Sequence, residues 1–345
     1  MADGTTASTA IGRRRRAVDL VRGPSVVASG GPLPLVVEPE VPGVDLAAWA
    51  AGERGRIADW LRGHGAMLFR GFDLASPAEL ERFAEAAGTA LFGDYGDLPR
   101  ERHSGKVYGT TPYPADRPIL FHNESSHQHR FPRRIFFLCL KAAASGGATP
   151  IVDGRRVLAR LTPSLRAAFQ EKRLHYVRNF VPGIDVPWQE FFRTDEKARA
   201  EAACRAARMS FEWKRAGGLR TAQLAPAVAI HPESGEASFF NQILLHHPSR
   251  LAPEVRESLL ALMPEEDLPR NVTFGDGTPI PDGAVDEVAA LEEELAVESA
   301  WIEGDVLMVE NLLVAHGRRP YGGARKVVVT MGDMVEAADV APGHV

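Results

Sequence analysis

His122 and Glu124 stand two residues apart in the polar segment that runs from Phe121 to His129. In an extended strand, residues two apart project to the same face, so we expect both side chains to point the same way. A neutral imidazole and a carboxylate side by side are two ligands for a divalent transition metal. A third ligand from elsewhere would complete a triad on one face of the metal and leave its other positions open. Without a third ligand, a surface pair is the simpler interpretation.

A second segment, from Gly304 to Pro320, offers that third ligand. We expect a strand that runs into a polar turn, and this turn ends with His316 beside several arginines. Nine residues later, Arg325 stands at the start of the β-type run Lys326–Thr330. An arginine at this place could face the same cavity as the metal and bind a dicarboxylate through a two-pronged contact.

Three motifs, in this order and at this spacing, resemble those of one enzyme family. They are Phe121–Glu124, Ser145–Asp153, and the stretch from Gly304-Asp305 to His316-Gly317-Arg318. From about Ala66 to Met331 the chain is similar to the iron(II)- and 2-oxoglutarate-dependent dioxygenases of the TauD/TfdA superfamily. Within that superfamily it most resembles the SyrP-like and clavaminate-synthase-like hydroxylases, and the short segments at 178–179, 240–242 and 275–277 add to the likeness.

The resemblance implies a fold and a metal site. The fold is a double-stranded β-helix, a jelly-roll barrel with helical insertions. The metal is iron(II), and His122, Glu124 and His316 are its ligands and the catalytic residues. Aspartate is commoner at the second ligand position, and glutamate there is shared with the branch that hydroxylates amino acids. Because halogenases of the superfamily lack this carboxylate, Glu124 favours oxygenation over halogenation.

The same resemblance implies two contacts for the co-substrate 2-oxoglutarate. Thr149 would donate a hydrogen bond to the far carboxylate, and Arg325 would form an ion pair with it. Because Arg325 lies slightly nearer the distal histidine than the arginine of the taurine branch does, the neighbouring Arg318 and Arg319 stay open as alternatives.

With iron(II), 2-oxoglutarate and O2, the implied reaction hydroxylates an unactivated C–H bond and releases succinate and CO2. The implied substrate is an amino acid or an amino-acid-derived natural-product intermediate, either free or tethered to a carrier protein. Desaturation and epoxidation use the same triad, and a sulfonate, phosphonate or aryloxy acid is the alternative substrate. A metal-containing barrel that binds a ligand without turnover is the alternative that is not an enzyme.

Five arginines near the two metal-binding segments could form a basic docking surface for an acidic carrier protein. These arginines are Arg130, Arg133, Arg134, Arg318 and Arg319. The alternative interpretation is that they are solvated or that they bind a carboxylate of the substrate.

Four further histidines stay without an assigned role. His127 and His129 either face the metal and substrate or lie on the surface. His246 and His247 are adjacent, and adjacent strand residues face opposite ways, so at most one of them should face the cavity.

The elements that must position these residues are short strands with helical insertions. Strands are expected at Ala66–Arg70, Arg134–Leu140, His175–Phe180, Ala227–His231, Ser238–Asn241, Asp305–Val309 and Lys326–Thr330. Helices are expected at Leu46–Leu61, Ala78–Ala87, Pro163–Lys172, Glu196–Ala207, Pro253–Leu262 and Asp286–Glu298, the last with a solvated acidic face. This pattern predicts a mainly β fold with helical insertions (α+β), built as a sandwich or barrel.

Composition sets outer limits on the function. The chain has 345 residues, of which 45% are apolar and 25% charged, and we expect a disordered tail at 1–25 and a single domain at 26–345. The net charge of −5 argues against a general nucleic-acid binder, and apolar runs of strand length predict no membrane span. With only Cys139 and Cys204, far apart in the sequence, the expected compartment is the reducing cytoplasm.

Overall fold

The structure, a computed structural model, describes residues 21, 25–26, 33–93, 102–110, 113–181, 183–214 and 217–342. The predicted tail at 1–25 therefore falls almost wholly outside the described residues. The strands are β1 (Ser25–Val26), β2 (Leu35–Val37), β3 (Ala66–Phe69), β4 (Arg102–Ser104), β5 (Val107–Gly109), β6 (Ile119–His122), β7 (Arg130–Lys141), β8 (Ser145–Gly146), β9 (Ile151–Asp153), β10 (Leu174–Phe180), β11 (Ser210–Trp213), β12 (Leu219–Ala225), β13 (Val228–Ile230), β14 (Ala237–Phe239), β15 (Arg270–Phe274), β16 (Val306–Glu310), β17 (Val314–Arg318), β18 (Tyr321–Gly322) and β19 (Lys326–Glu336).

The helices lie mainly in the first third and in the insertions between strands. They are α1 (Leu46–His64), α2 (Pro77–Ala86), α3 (Gly154–Arg160), α4 (Pro163–Lys172), α5 (Trp188–Phe192), α6 (Lys197–Ala206), α7 (Ile243–His246), α8 (Pro253–Leu262), α9 (Asp282–Leu295) and α10 (Ala337–Val340). Short 3-10 helices lie at Pro248–Arg250 and Glu265–Asp267. In the part of the chain that the structure describes, no helix is both long and apolar enough to cross a membrane.

An eight-stranded sheet forms the centre of the fold, in the order β1-β2-β3-β16-β7-β19-β5-β4. Strand β7 pairs antiparallel with both β16 and β19. Its central residues are apolar on both faces, with Phe136 and Leu138 on one face and Ile135 and Phe137 on the other, and all four are buried. A strand that is apolar on both faces needs a packing layer on each side.

Helices α1 and α2 form the layer on one side of this sheet. Asp45 caps α1 by accepting backbone hydrogen bonds, and Ser76 does the same for α2, which begins with Pro77, one residue before the start expected from the sequence. The Phe83 ring of α2 packs between Phe69 and Phe136 of the sheet, with ring centroids 4.9 and 5.8 Å away. This face of the sheet is thereby closed to water.

The opposite face of the large sheet packs on a three-stranded sheet with the order β6-β17-β9. Ile135 and Val329 of the large sheet share one apolar core with Ile151 of β9 and Val314 of β17. Within the small sheet, antiparallel pairing places one residue of β17, His316, directly opposite the last residue of β6.

A four-stranded sheet with the order β11-β12-β10-β15 lies beyond the small sheet. Leu174 and Phe274 of this sheet share a core with Phe169 of α4 and Val285 of α9. Helices α4 and α9, two of the helical insertions that the sequence predicts, therefore pack on this four-stranded sheet.

The fold is sheet-rich with helices, as the sequence predicts. Most ends shift by a few residues, and β19 runs to Glu336 rather than Thr330 because its pairing with β7 continues past Gly332. Among the described residues the strands form separate hydrogen-bonded sheets, including the pairs β13-β14 and β18-β8, and one closed jelly-roll barrel is not confirmed.

Candidate active site

His122, Glu124 and His316 converge beside the small sheet, as the sequence predicts. Each offers one ligand atom, and these atoms lie within 4.8 Å of one another. The Nε2 atoms of His122 and His316 are 4.0 and 3.9 Å from Oε2 of Glu124, and the two imidazole centroids are 4.4 Å apart. Two imidazoles and one carboxylate, with open space on one side, suit a divalent transition metal such as iron(II).

The backbone brings these side chains together in a way that the sequence prediction missed. Strand β6 ends at His122, and Glu124 lies in the following turn, where Ser125 has a φ of 56°. The prediction that strand alternation aligns His122 with Glu124 is therefore wrong, because a turn directs the carboxylate back towards the imidazole. His316 lies within β17 and not at the end of a polar turn, so pairing with β6 and β9 fixes its position.

The buried side chain of Asn311 holds the turn that carries Glu124. Its Oδ1 accepts a hydrogen bond from the Glu124 amide at 2.7 Å, and its Nδ2 donates to the Glu124 carbonyl at 3.0 Å. The same Nδ2 donates to the Pro132 carbonyl at 2.8 Å, and Asn123 donates to the Asn311 carbonyl at 2.7 Å. The resemblance assigns no role to Asn311, and a polar residue before the apolar Leu312 was the one signal available in the sequence.

The electrostatics of the triad also suit a cation. Burial away from water raises the pKa of Glu124 to about 7, because the charged carboxylate is poorly solvated there. A metal ion in front of the carboxylate would offset this cost. Nδ1 of His122 donates to the Leu120 carbonyl at 2.8 Å, which leaves Nε2 as the unprotonated atom that faces Glu124.

Arg325 and Thr149 lie together on the wall of the same cavity. Arg325 donates from Nη2 to Oγ1 of Thr149 at 3.4 Å and from Nε to the Gly147 carbonyl at 2.9 Å. The Trp301 indole donates to the same Thr149 oxygen at 3.2 Å. Burial and the nearby Arg318 lower the pKa of Arg325, so a dicarboxylate would be a favourable partner for it.

The two alternative arginines are engaged elsewhere. Arg318 donates to three backbone carbonyls in the segment 113–117. Arg319 forms ion pairs with two glutamates at 2.8 and 2.7 Å, which raise its pKa. Among the described residues, Arg325 forms no ion pair with a carboxylate, so it is the arginine best placed to receive one.

The triad opens into a cavity of about 740 Å³, a size that suits a small-molecule substrate. Beyond the triad its wall carries a cluster of three rings, His127, Tyr176 and His246. Tyr176 has its ring centroid 5.9 Å from that of His127 and 5.0 Å from that of His246. The Tyr176 hydroxyl accepts a hydrogen bond from the Gln242 amide at 2.9 Å, which fixes the ring.

His246 and His247 do not occupy a strand. His246 ends α7 and His247 precedes a 3-10 turn, and both line the cavity. The prediction that at most one faces the cavity is therefore wrong, because it assumes the alternation of a strand, whereas these residues link α7 to a 3-10 turn. His127 also lines the cavity.

Most of the arginines expected to form a basic docking surface are held by internal contacts. Arg133 forms ion pairs with two glutamates at 2.9 and 3.3 Å, and Arg134 forms one with an aspartate at 3.2 Å. Arg130 stands over the Phe92 ring at 5.4 Å. Three of the five arginines, Arg133, Arg134 and Arg319, are therefore already paired with carboxylates of this chain.

Comparison with known proteins identifies the family of this chain. The family model described as "Taurine catabolism dioxygenase TauD, TfdA family" matches residues 29–331. The chain belongs to the TauD/TfdA family. This family member is a 2-oxoglutarate-dependent, non-haem iron dioxygenase, and its cofactors are iron(II) and 2-oxoglutarate, as the sequence predicts.

Individual relatives align with most of the residues of this chain. The dapdiamide synthesis protein DdaC of Enterobacter agglomerans is 37% identical over 280 residues, which are 81% of this chain and 85% of DdaC. A clavaminate synthase-like protein of Arabidopsis thaliana is 29% identical over 319 residues, 87% of this chain and 93% of the relative. Among solved structures, PvcB of Pseudomonas aeruginosa has a similar fold, with a TM-score of 0.53, 17% identity and coverage of 93% of both chains.

Proposed function

We propose that this dioxygenase oxidises a C–H bond of a small amino-acid-derived molecule and converts 2-oxoglutarate and O2 to succinate and CO2. The observation that carries the proposal is the convergence of His122, Glu124 and His316 at one end of a cavity that Arg325 also lines. The similarity to DdaC, a dapdiamide synthesis protein, supports amino-acid chemistry.

The triad residues are the proposed ligands of iron(II), and they are grouped on one side of the site. Iron(II) with 2-oxoglutarate supplies the oxidising chemistry that activates O2 and breaks the C–H bond. The residues of the chain hold the donor atoms in place, keep water away and direct one bond of the substrate to the metal. Glu124 completes the triad and so favours hydroxylation, with desaturation or epoxidation as variants on the same scaffold.

Arg325 and Thr149 are the proposed binding residues for the far carboxylate of 2-oxoglutarate. The guanidinium supplies charge and two donors, and the hydroxyl supplies one more donor. Oγ1 of Thr149 already accepts from Trp301 and Arg325, so its own proton is available for the co-substrate.

We propose a free small molecule as the substrate rather than a carrier-bound one, since the arginines expected to dock a carrier form internal contacts. We also propose that the large sheet and the small sheet are the two halves of a jelly-roll barrel, because they face each other across one apolar core. Cys139 and Cys204 are buried free thiols, which suits the cytoplasm that we propose as the location.

Substitution of Arg325 tests the 2-oxoglutarate site. Removing one partner of a buried charged pair costs about 2–4 kcal/mol, so Arg325→Gln should weaken 2-oxoglutarate binding by roughly 30- to 1000-fold. Calorimetry with the manganese(II)-loaded chain measures this binding without turnover, and succinate formation measures it with iron(II). Thr149→Val should lose only about 1 kcal/mol.

Arg319→Gln is the matched control, because it removes the same charge from a residue that pairs with surface glutamates. We expect it to bind 2-oxoglutarate as the parent chain does. A silent Arg325→Gln beside a defective Arg319→Gln would show that the arginine is misassigned. Absence of iron- and 2-oxoglutarate-dependent succinate formation with every amino-acid-derived compound would contradict the proposed function.

A further inference from the structure

Two arginines lie directly opposite each other on neighbouring strands of the four-stranded sheet. Arg178 of β10 pairs in register with Arg270 of β15, and on its other side with Thr221 of β12. Directly opposed residues of antiparallel strands share one face, and both arginines line the cavity that holds the triad. Like charges at such positions destabilise a sheet, so an anion between them would remove an unfavourable interaction.

The register of the sheet places this pair beyond the ring cluster of the active site. Tyr176, two residues before Arg178 on β10, shares its face and pairs with Gln223 and Val272. Two residues of a strand span about 7 Å. Because the Tyr176 ring contacts His127, which is close to Glu124 in the chain, the cavity passes from the triad along Tyr176 to the arginines.

The charges that line the cavity leave one arginine of the pair without a counterion. Glu124 and Asp185 are the carboxylates among its described lining residues. Asp185 forms an ion pair with Arg178, with 3.2 Å between its Oδ2 and Nη2 of the arginine. In the described part of the chain, no ion pair or hydrogen bond engages the guanidinium of Arg270, although it is partly buried.

The surroundings hold both arginines in fixed positions. The Arg178 guanidinium lies 4.7 and 4.6 Å from the ring centres of Phe180 and Phe191. Nδ2 of Asn179 donates to the carbonyls of residues 266 and 268 at 3.0 and 2.8 Å, which ties the entry of β15 to β10 and sets the position of Arg270. A site that is fixed before the ligand arrives loses less conformational entropy on binding.

We infer that Arg178 and Arg270 form a subsite for an acidic group of the substrate, and that this group is a carboxylate at the end remote from the oxidised C–H bond. Two guanidinium groups on one face present parallel donors to a planar carboxylate. The inference rests on the proposed function, since it names the substrate class of the same cavity. It also separates free from carrier-bound substrates, because an amino acid attached to a carrier as a thioester has no free α-carboxylate.

Matched acids and carboxamides test the subsite. The panel contains the standard L-amino acids, their N-acyl derivatives, the carboxamide of each, and aminosulfonates of similar length. Binding is measured by calorimetry on the full chain loaded with manganese(II) and the 2-oxoglutarate analogue N-oxalylglycine, and turnover by succinate formation with iron(II). We expect at least one acid to bind about tenfold or more tightly than its carboxamide, because the amide lacks the charge that pairs with Arg270.

Substitution of Arg270 tests whether the arginine pair causes the preference for the acid over its carboxamide. Arg270→Gln should reduce the ratio of acid to carboxamide affinity to near one by raising the KM for the acid, while the KM for the co-substrate 2-oxoglutarate stays unchanged. Arg270→Lys, which keeps the charge, should restore part of the ratio. Arg220→Gln is the control, because Arg220 lies on the same sheet, alternates to the other face and pairs with Asp267 at 3.8 Å.

The outcomes separate the subsite from the proposed function. A panel in which no acid binds more tightly than its carboxamide overturns the subsite, as does an unchanged preference in Arg270→Gln. A carrier-bound thioester that outcompetes the free acid overturns the carboxylate assignment. Tighter binding of a sulfonate supports the anion subsite but contradicts the amino-acid substrate. Failure of the proposed function is seen separately, as missing iron- and 2-oxoglutarate-dependent succinate formation.

Discussion

Asn311 holds one of the three proposed metal ligands, Glu124, without being a ligand itself. Its amide satisfies both the N–H and the carbonyl of Glu124 at 2.7 and 3.0 Å. Glu124 lies in a turn rather than in a strand, so these two hydrogen bonds do for its backbone what strand pairing does for His316. Residues that orient metal ligands in this way commonly contribute about 10- to 100-fold to metal affinity.

We expect Asn311→Ala to weaken iron(II) binding about tenfold and to lower the free energy of unfolding by about 1–3 kcal/mol, since buried backbone groups lose their partners. Anaerobic iron(II) titration and urea unfolding measure the two effects. Ser126→Ala is the control: its buried hydroxyl donates to the Asn123 carbonyl at 2.9 Å and does not contact Glu124. That variant should lose stability and keep its iron affinity. Normal iron affinity in Asn311→Ala would rule out the positioning role.

The acidic helix α9 contains a carboxylate that is not solvated. The sequence predicts that the carboxylates of this segment face water, and Glu293 and Glu294 do. Glu292 is 5% exposed because it shares the buried face with Val288 and Leu295, and one of its oxygens has no partner among the described residues. Burial, with a smaller effect from Glu293, raises the pKa of Glu292 to about 8.

This raised pKa predicts how stability changes with pH. Between about pH 5 and 8 the unfolded chain releases the Glu292 proton while the folded chain keeps it, so the free energy of unfolding falls as pH rises, by at most about 1.4 kcal/mol per unit. Glu292→Gln removes the titration and should flatten that dependence. Exposed Glu294→Gln should keep the parent slope. Parallel curves for the parent and Glu292→Gln in urea unfolding at several pH values would contradict the assignment.

Helix starts could be predicted from the sequence, whereas turns held by distant residues could not. The starts of α2 and α4 follow from Ser76-Pro77 and Thr162-Pro163, because a proline favours the first position of a helix. The turn at Glu124, by contrast, depends on a partner far along the chain, Asn311. No local pattern around Glu124 shows that a residue 187 positions later will hold its backbone.

At the scale of the molecule, three sheets contribute residues around the proposed metal site. Helix-backed β7 presents Phe137 on its inner face, where its ring lies 5.2 Å from that of His316. The small sheet supplies His122 and His316 in register, and the four-stranded sheet supplies Tyr176 and the arginine pair. Motifs in the sequence predict the three residues that the structure brings together, His122, Glu124 and His316, because the family resemblance points to their types and order. They do not predict the opposing wall of the cavity, because the register that brings Arg178 of β10 opposite Arg270 of β15 pairs strands far apart in the sequence.

Anaerobic titration of the full chain with iron(II), followed by 2-oxoglutarate, tests the triad most directly, because it reads metal binding without a substrate. We expect about one iron(II) per chain and a visible charge-transfer absorbance when 2-oxoglutarate is added, as for a site with three protein ligands and open positions. His122→Ala and His316→Ala should lose both signals with unchanged circular dichroism, and Glu124→Ala should weaken them. His175→Ala, outside the cavity, should keep both. A folded His316→Ala variant that binds iron(II) and develops the absorbance like the parent chain would contradict the assignment of His122, Glu124 and His316 as the metal site.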